Sequence, residues 1–284
     1  MKTLIRCGAL TCAVVLGACS KDSTGPTDQQ LPFLAADLAQ AAADGIGEDV
    51  DVMREPVFFA FMPFFAPGAL GAVGSGPGPV FELGRGDFHP LNCPFDAASG
   101  RLVCPTISHD GITINRSYAF WDAANAVQQA YDATTTAKAN LQTSFVGTRS
   151  GEFWSGSVDR GKDLTATGLA GAETQRTWNG TGHDKVTRSR STEGGETRTY
   201  NLDCSVTIQD VVVPVPSGDG GPHFPLSGTI TRSCTVTIVG GPHDGTTIQR
   251  TVVVTFHGTA TATLTIGDRT FDIDLSTRHR FPRP

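Results

Sequence analysis

Two cysteines constrain this chain's fold more than any other feature, because one strand register satisfies both them and the apolar pattern around them. Leu202, Cys204, Val206 and Ile208 alternate with polar residues, as do Ile230, Cys234, Val236 and Ile238; Thr207, Thr229, Thr231, Thr235 and Thr237 take the opposite parity. Successive side chains of a strand point to opposite faces, so each segment reads as a strand with one buried face. A hairpin centred at Asp219 sets Ile208 against Ile230, Cys204 against Cys234, Leu202 against Val236 and Tyr200 against Ile238. Opposed antiparallel residues lie about 4.5–5.5 Å apart at Cα, which a disulfide spans. The pattern predicts a Cys204–Cys234 bridge.

The same reasoning applies earlier in the chain. Leu91 to Phe95 and Leu102 to Thr106 flank the turn sequence Asp96-Ala97-Ala98-Ser99-Gly100-Arg101, and folding there places Cys93 opposite Cys104. Gly100 supplies the positive φ such a turn needs. Ile112, Ile114, Tyr118 and Phe120 alternate up to a turn at Asp122 to Asn125, from which Val127 to Tyr131 return. Strands over 141–149, 164–169, 173–180, 183–191 and 197–208 continue an up-and-down order. Ile248, Val252, Val254, Phe256, Ala260, Ala262, Leu264 and Ile266 keep one parity across Gly258, as one long strand bent at that glycine would. Phe271, Ile273 and Leu275 follow on a last strand. The expected class is mainly β: a single large antiparallel, strongly curved meander sheet, barrel or half-barrel, with one N-terminal amphipathic helix.

That helix is expected over residues 32–45, where Leu31, Leu34, Leu38, Ala41, Ala42 and Ile46 recur at helical spacing and Gly45 and Gly47 supply a stop. Phe58, Phe59, Phe61, Phe64 and Phe65 then crowd into an uncharged run interrupted by Pro56, Pro63 and Pro67, which disfavours a membrane-spanning helix. The run reads as a segment packed under the sheet, or as an apolar lid. Residues 31–90 thus form a helix and a Phe/Gly/Pro-rich segment packing on an antiparallel β domain of residues 91–284.

The beginning of the chain supplies an address. Residues 8–18 are almost all small or apolar, roughly 16 Å if helical, too short for a bilayer core of about 30 Å but suited to a signal-peptide core. Lys2 and Arg6 precede this run, and Leu16-Gly17-Ala18-Cys19 closes it. The tetrapeptide resembles the lipobox of bacterial lipoprotein precursors. The resemblance implies a signal peptide over residues 1–18, acyl chains on Cys19, and a lipidated tether over residues 19–30. It places the domain outside the inner membrane, with Ser20 as a cue for the outer membrane, facing periplasm or cell surface. Several acyl chains hold a protein to a membrane essentially permanently. Export also suits two disulfides, since Cys7 and Cys12 leave with the leader and four thiols remain.

The formal net charge of −6 becomes −8 once Lys2 and Arg6 are removed, which argues against nucleic acid as a partner. Threonine-rich faces and the lack of a repeated aromatic girdle argue against a transmembrane barrel. No stretch matches a nucleophile elbow, an H-E-x-x-H helix, a P-loop or an EF-hand loop. Gly220-Gly221-Pro222-His223 and Gly240-Gly241-Pro242-His243 repeat a tetrapeptide, but at opposite ends of one strand, roughly 35 to 45 Å apart, so they read as turns and not as a metal pair. His109-Asp110 and His183-Asp184 read as turn dipeptides, and Asp272 with Asp274 as a solvated edge. His257 takes the polar parity beside Gly258. Among Arg188, Arg190, Arg198, Arg232 and Arg250, Arg232 falls on the apolar parity, and an inward arginine needs a carboxylate or an anionic ligand group.

Neither a cofactor nor a metal is expected, and no catalytic residue stands out. The expected function is a membrane-anchored, non-enzymatic binding or structural domain, its candidate ligand an apolar molecule held by the sheet, with the phenylalanines as lid and Arg232 as the polar contact. An envelope protein–protein interaction module is the alternative, and a hydrolase with an unrecognised site the third reading.

Overall fold

The computed structural model describes residues 93–276, except 110, 152–153, 172, 192–196 and 216–223, together with Ala42, Gly45–Gly47, Asp49, Val50, Val52 and Met53. Short strands come first: β1 (Phe95–Asp96), β2 (Arg101–Val103), β3 (Ile107–His109), β4 (Ile112–Asp122) and β5 (Val127–Gln128). Long ones follow: β6 (Thr136–Gly151), β7 (Trp154–Thr167), β8 (Gln175–Ser191), β9 (Thr197–Pro214) and β10 (Ser227–Val239). The sheet finishes with β11 (Thr247–Thr255), β12 (Thr261–Ile266) and β13 (Arg269–Asp274). All belong to one antiparallel sheet with the path β1-β2-β4-β6-β7-β8-β9-β10-β11-β12-β13, and β3 and β5 pair with β4 off that path.

The expected class is found at the level of a large antiparallel meander, but the curvature is not. The path is open from β1 to β13, so the sheet is neither a barrel nor strongly curled. Alternation alone reports which face is buried; closure depends on shear between strands, which alternation does not encode.

The register around the cysteines is the one read from the sequence: Ile208 opposes Ile230, Cys204 opposes Cys234, Leu202 opposes Val236 and Tyr200 opposes Ile238. Both bridges are present, with Cα separations of 4.1 Å for Cys93–Cys104 and 4.0 Å for Cys204–Cys234. Phe95 pairs with Leu102 across the first turn, where Gly100 has φ +66°.

Three local expectations are corrected. The segment around Gly258 is not one bent strand: β11 and β12 pair antiparallel, with Val252 opposite Ile266 and Val254 opposite Leu264. Gly258 has φ +74° in the reversal, and the odd number of residues between the strands, 256–260, preserves the parity that made the two strands look continuous. Nor do residues 173–180 and 183–191 form two strands, because β8 runs unbroken through Gly180, Thr181 and Gly182. His183-Asp184 is therefore no turn, and His109 ends β3. Finally, the helical residues reach beyond the predicted stop: Gly45 and Gly47 are themselves helical, and so are Asp49, Val50, Val52 and Met53. Packing outweighs the roughly 1 kcal/mol by which each glycine disfavours a helix. The remainder of 32–45 lies outside the described residues.

A β-bulge in β9 explains one further shift of pattern. Buried parity runs through Cys204, Val206 and Ile208 but resumes at Val211 and Val213. Between them Asp210 has φ +50°, held by its amide donating to Asn179 Oδ1 at 2.9 Å. Gly228 faces this bulge with φ +99°, where a Cβ would lie 2.4 Å from both the Asp210 carbonyl oxygen and the Val211 Cα. Only glycine fits there without displacing backbone.

One face of the sheet carries the core. Tyr118, Leu141, Leu164, Ile208, Ile230, Val254 and Leu264 lie along one row across β4 to β12, and Ile46, Val50 and Met53 of the helical segment join the same apolar cluster. The opposite face is threonine-rich and polar.

Candidate functional site

The buried face is not uniformly apolar. Along β7, Val158, Arg160, Lys162, Leu164 and Ala166 all point inward, so two cations interrupt an apolar stripe. On β8 the inward positions between Trp178 and Val186 are Gly180, Gly182 and Asp184, and on β10 Arg232 lies between Ile230 and Cys234. Pairing places Lys162 beside Gly182, Gly182 beside Val206 and Val206 beside Arg232; in the next row Arg160 lies beside Asp184. The absence of a side chain at Gly182 makes room for Lys162, whose Cδ would be 2.7 Å from a Cβ there.

The helical segment completes this cluster. Asp49 shares its helical face with Ile46 and Met53, since residues three and four apart are neighbours on a helix. Lys162 Nζ lies 2.9 Å from Asp49 Oδ1 and 3.4 Å from Asp184 Oδ1, and Arg160 Nε lies 3.6 Å from Asp184 Oδ1. The Arg232 guanidinium is bonded to both carboxylates, Nη1 to Asp184 Oδ2 and Nη2 to Asp49 Oδ2. Gly45 permits this close approach, because a Cβ on it would meet the guanidinium at 2.8 Å. Asp49 is 1 % exposed, and Asp184 and Arg232 are each 3 % exposed.

Burial and charge act against each other on these groups. For Asp49, burial is the largest influence and disfavours the carboxylate, but Lys162 and Arg232 together outweigh it and hold the pKa below the usual value. For Lys162, burial comes first and wins: its pKa falls to about 8 despite the attraction of Asp49, helped by the nearby Arg232.

A pH dependence follows from Lys162. Unfolded, the lysine keeps its proton to about pH 10.4; folded, it gives it up near pH 8. Between those values the unfolded chain binds more protons, so this group's contribution makes stability rise with pH across that window. Denaturant midpoints measured from pH 7 to pH 10 are expected to show this increment in the wild-type chain and not in Lys162→Met. Equal pH profiles for the two proteins would refute the assignment.

Among the described residues no group of three His, Cys, Asp or Glu side chains is placed to hold a metal. Its chemistry is ion pairing between a helix and a sheet.

A second arrangement lies on the polar face. A groove of about 820 Å³ crosses β4 to β10, lined by residues including Thr113, Asp159, Lys185, Thr187, Asn201 and Asp203. Of its charged residues, Lys185 Nζ lies 3.9 Å from Asp203 Oδ2, and Asp159 Oδ1 lies 3.3 Å from Nε2 of His183, outside the lining. Val146, 47 % exposed, lines it together with Val158, Val186 and Leu202.

Of the residues singled out from sequence, Arg232 enters the buried cluster and has the carboxylates its inward position required. Cys93, Cys104, Cys204 and Cys234 form the two bridges. Asp272 and Asp274 are exposed on β13, at one end of the sheet, and exposed His257 bonds to Thr263. Cys19, the five phenylalanines from Phe58 to Phe65 and the 220–223 loop lie outside the described residues. Asp49, Arg160, Lys162 and Asp184 were not anticipated from sequence. The signal for the sheet residues was the one that exposed Arg232, a charge on the apolar parity.

No protein-family model matches the chain, and no curated protein or solved structure resembles it.

Proposed function

We propose that this chain is an exported lipoprotein, anchored by acyl chains on Cys19, whose β domain works without catalysis as a binding module for a polar component of the cell envelope. The groove on the polar face carries this reading. Its 820 Å³ falls within the range of ligand sites, about 300–1,000 Å³, and Thr113, Thr187, Asn201, Asp159, Lys185 and Asp203 supply hydroxyl, amide and charged groups for a hydrogen-bonding partner. Two disulfides and long paired strands give that surface the rigidity a recognition site needs. The helix packed on the other face makes the apolar side a core first.

A photo-crosslinking residue at Thr187 or Thr235, introduced in cells, is expected to trap one discrete envelope component. Substituting Trp for Asn201 to fill the groove should abolish the adduct without changing the melting temperature. Adducts absent at both positions, or unaffected by the filled groove, would overturn the reading. In the same cells Cys19→Ser should move the protein from the membrane to the soluble fraction.

A further inference from the structure

We infer that the buried face holds a binding site for an amphiphile with one anionic head group, and that Asp49 of the helical segment occupies this site as an internal substitute for the head. The site is separate from the polar groove and stands whether or not that groove binds anything.

The receptor is built by the sheet. Arg232, Lys162 and Arg160 converge from β10 and β7, and within the cluster the sheet's own carboxylate is Asp184. Asp184 ties these cations together, so their positions are set by groups that do not belong to the helix. The remaining carboxylate, Asp49, binds as a ligand would: one oxygen takes Lys162 at 2.9 Å and the other takes the Arg232 guanidinium. An arginine fork beside a lysine is a chemically apt receptor for a carboxylate or phosphate.

Apolar surface flanks this receptor on both sides. Leu164, Ile208 and Ile230 lie along the sheet in one direction, and Val158, Ile114 and Phe145 in the other. A buried anion so placed suits a molecule whose remaining surface is hydrocarbon, because a hydrophilic anion would forfeit its hydration without recovering apolar burial. Ile46, Val50 and Met53 rest on the same apolar cluster, filling the place of an alkyl chain as Asp49 fills that of a head.

The segment is also suited to being displaced. Gly45 and Gly47 each weaken a helix by about 1 kcal/mol relative to alanine, so the segment depends on its contacts with the sheet. Ligand and helix would compete for the same cations, and the helix would yield when an amphiphile supplies both anion and chain.

Dodecanoate, dodecyl phosphate and dodecanol, titrated below their aggregation concentrations into the full-length protein, test this inference. Binding is expected for one or both anions and at least tenfold weaker binding for the alcohol; the two anions report whether the head is a carboxylate or a phosphate. Asp49→Asn removes the internal competitor and should tighten anion binding about tenfold. Hydrogen exchange on the unmutated protein supplies a second readout, in which residues 42–53 should exchange faster once dodecanoate is bound. Equal affinity for dodecanol, unchanged or weaker affinity in Asp49→Asn, or slower exchange over 42–53 would each overturn the inference. None of these outcomes bears on crosslinking from Thr187.

Discussion

Asp184→Ala is expected to lower the unfolding free energy by about 3–5 kcal/mol, the range for deleting one partner of a buried ion cluster. The size comes less from the pairs lost than from what remains. Asp184 touches Arg160, Lys162 and Arg232, so its removal takes a counter-charge from three cations in a place water scarcely reaches. Lys162 already sits near its limit, with burial pulling its pKa to about 8. Losing the carboxylate therefore favours a neutral lysine, and Asp184→Ala combined with Lys162→Met should destabilise by clearly less than the sum of the two changes, as expected for residues in contact. Asp203→Ala is the matched control, because its contact with Lys185 is 3.9 Å long and both side chains are mostly exposed; it should cost under about 1 kcal/mol. Urea denaturation of the four proteins measures these differences. A loss below 1 kcal/mol for Asp184→Ala would mean that the ions are not buried together in solution.

Opening the Cys204–Cys234 bridge should cost nearly as much, through the unfolded chain. Its partners are separated by 30 residues, for which loop-closure entropy gives about 3.5 kcal/mol, against about 3 kcal/mol for Cys93–Cys104 with a separation of 11. In a chain of this size each kcal/mol moves the melting temperature by about 2–4 °C, so Cys204→Ala with Cys234→Ala should lower it by about 7–14 °C. The Cys93→Ala and Cys104→Ala pair should have the smaller effect. Calorimetry of both double variants, with and without reductant, checks size and order together: reductant should lower the melting point further only through the bridge still present. Unchanged melting after loss of Cys204 and Cys234 would contradict the entropic account.

Much of this sheet was legible because burial on one face writes itself into the sequence with period two. The 204–234 hairpin was recoverable to the residue, since its cysteines and apolar positions impose the same register. Parity fails where it is conserved through a turn, as between Phe256 and Ala260, or changed within a strand, as between Ile208 and Val211. In the first case two strands look like one, and in the second a bulge passes for a strand end. The two expected strands 173–180 and 183–191 are one, and Gly182, between them, makes room for the stem of Lys162 in the middle of β8. The candidate site was visible only through Arg232. Its partners lie on other strands and on a helix, and pairing across so many residues leaves no local pattern.

The distance along the chain between Asp49 and Arg232, 183 residues, also orders events during folding. From β7 onward each strand pairs with the one before it, so the sheet can lengthen one hairpin at a time. The helical segment is made before any of them, yet its full set of partners exists only after β7, β8 and β10 are in place. Asp49 can therefore dock on its full set of partners only after most of the sheet has formed, and its docking would report that the centre of the sheet is complete.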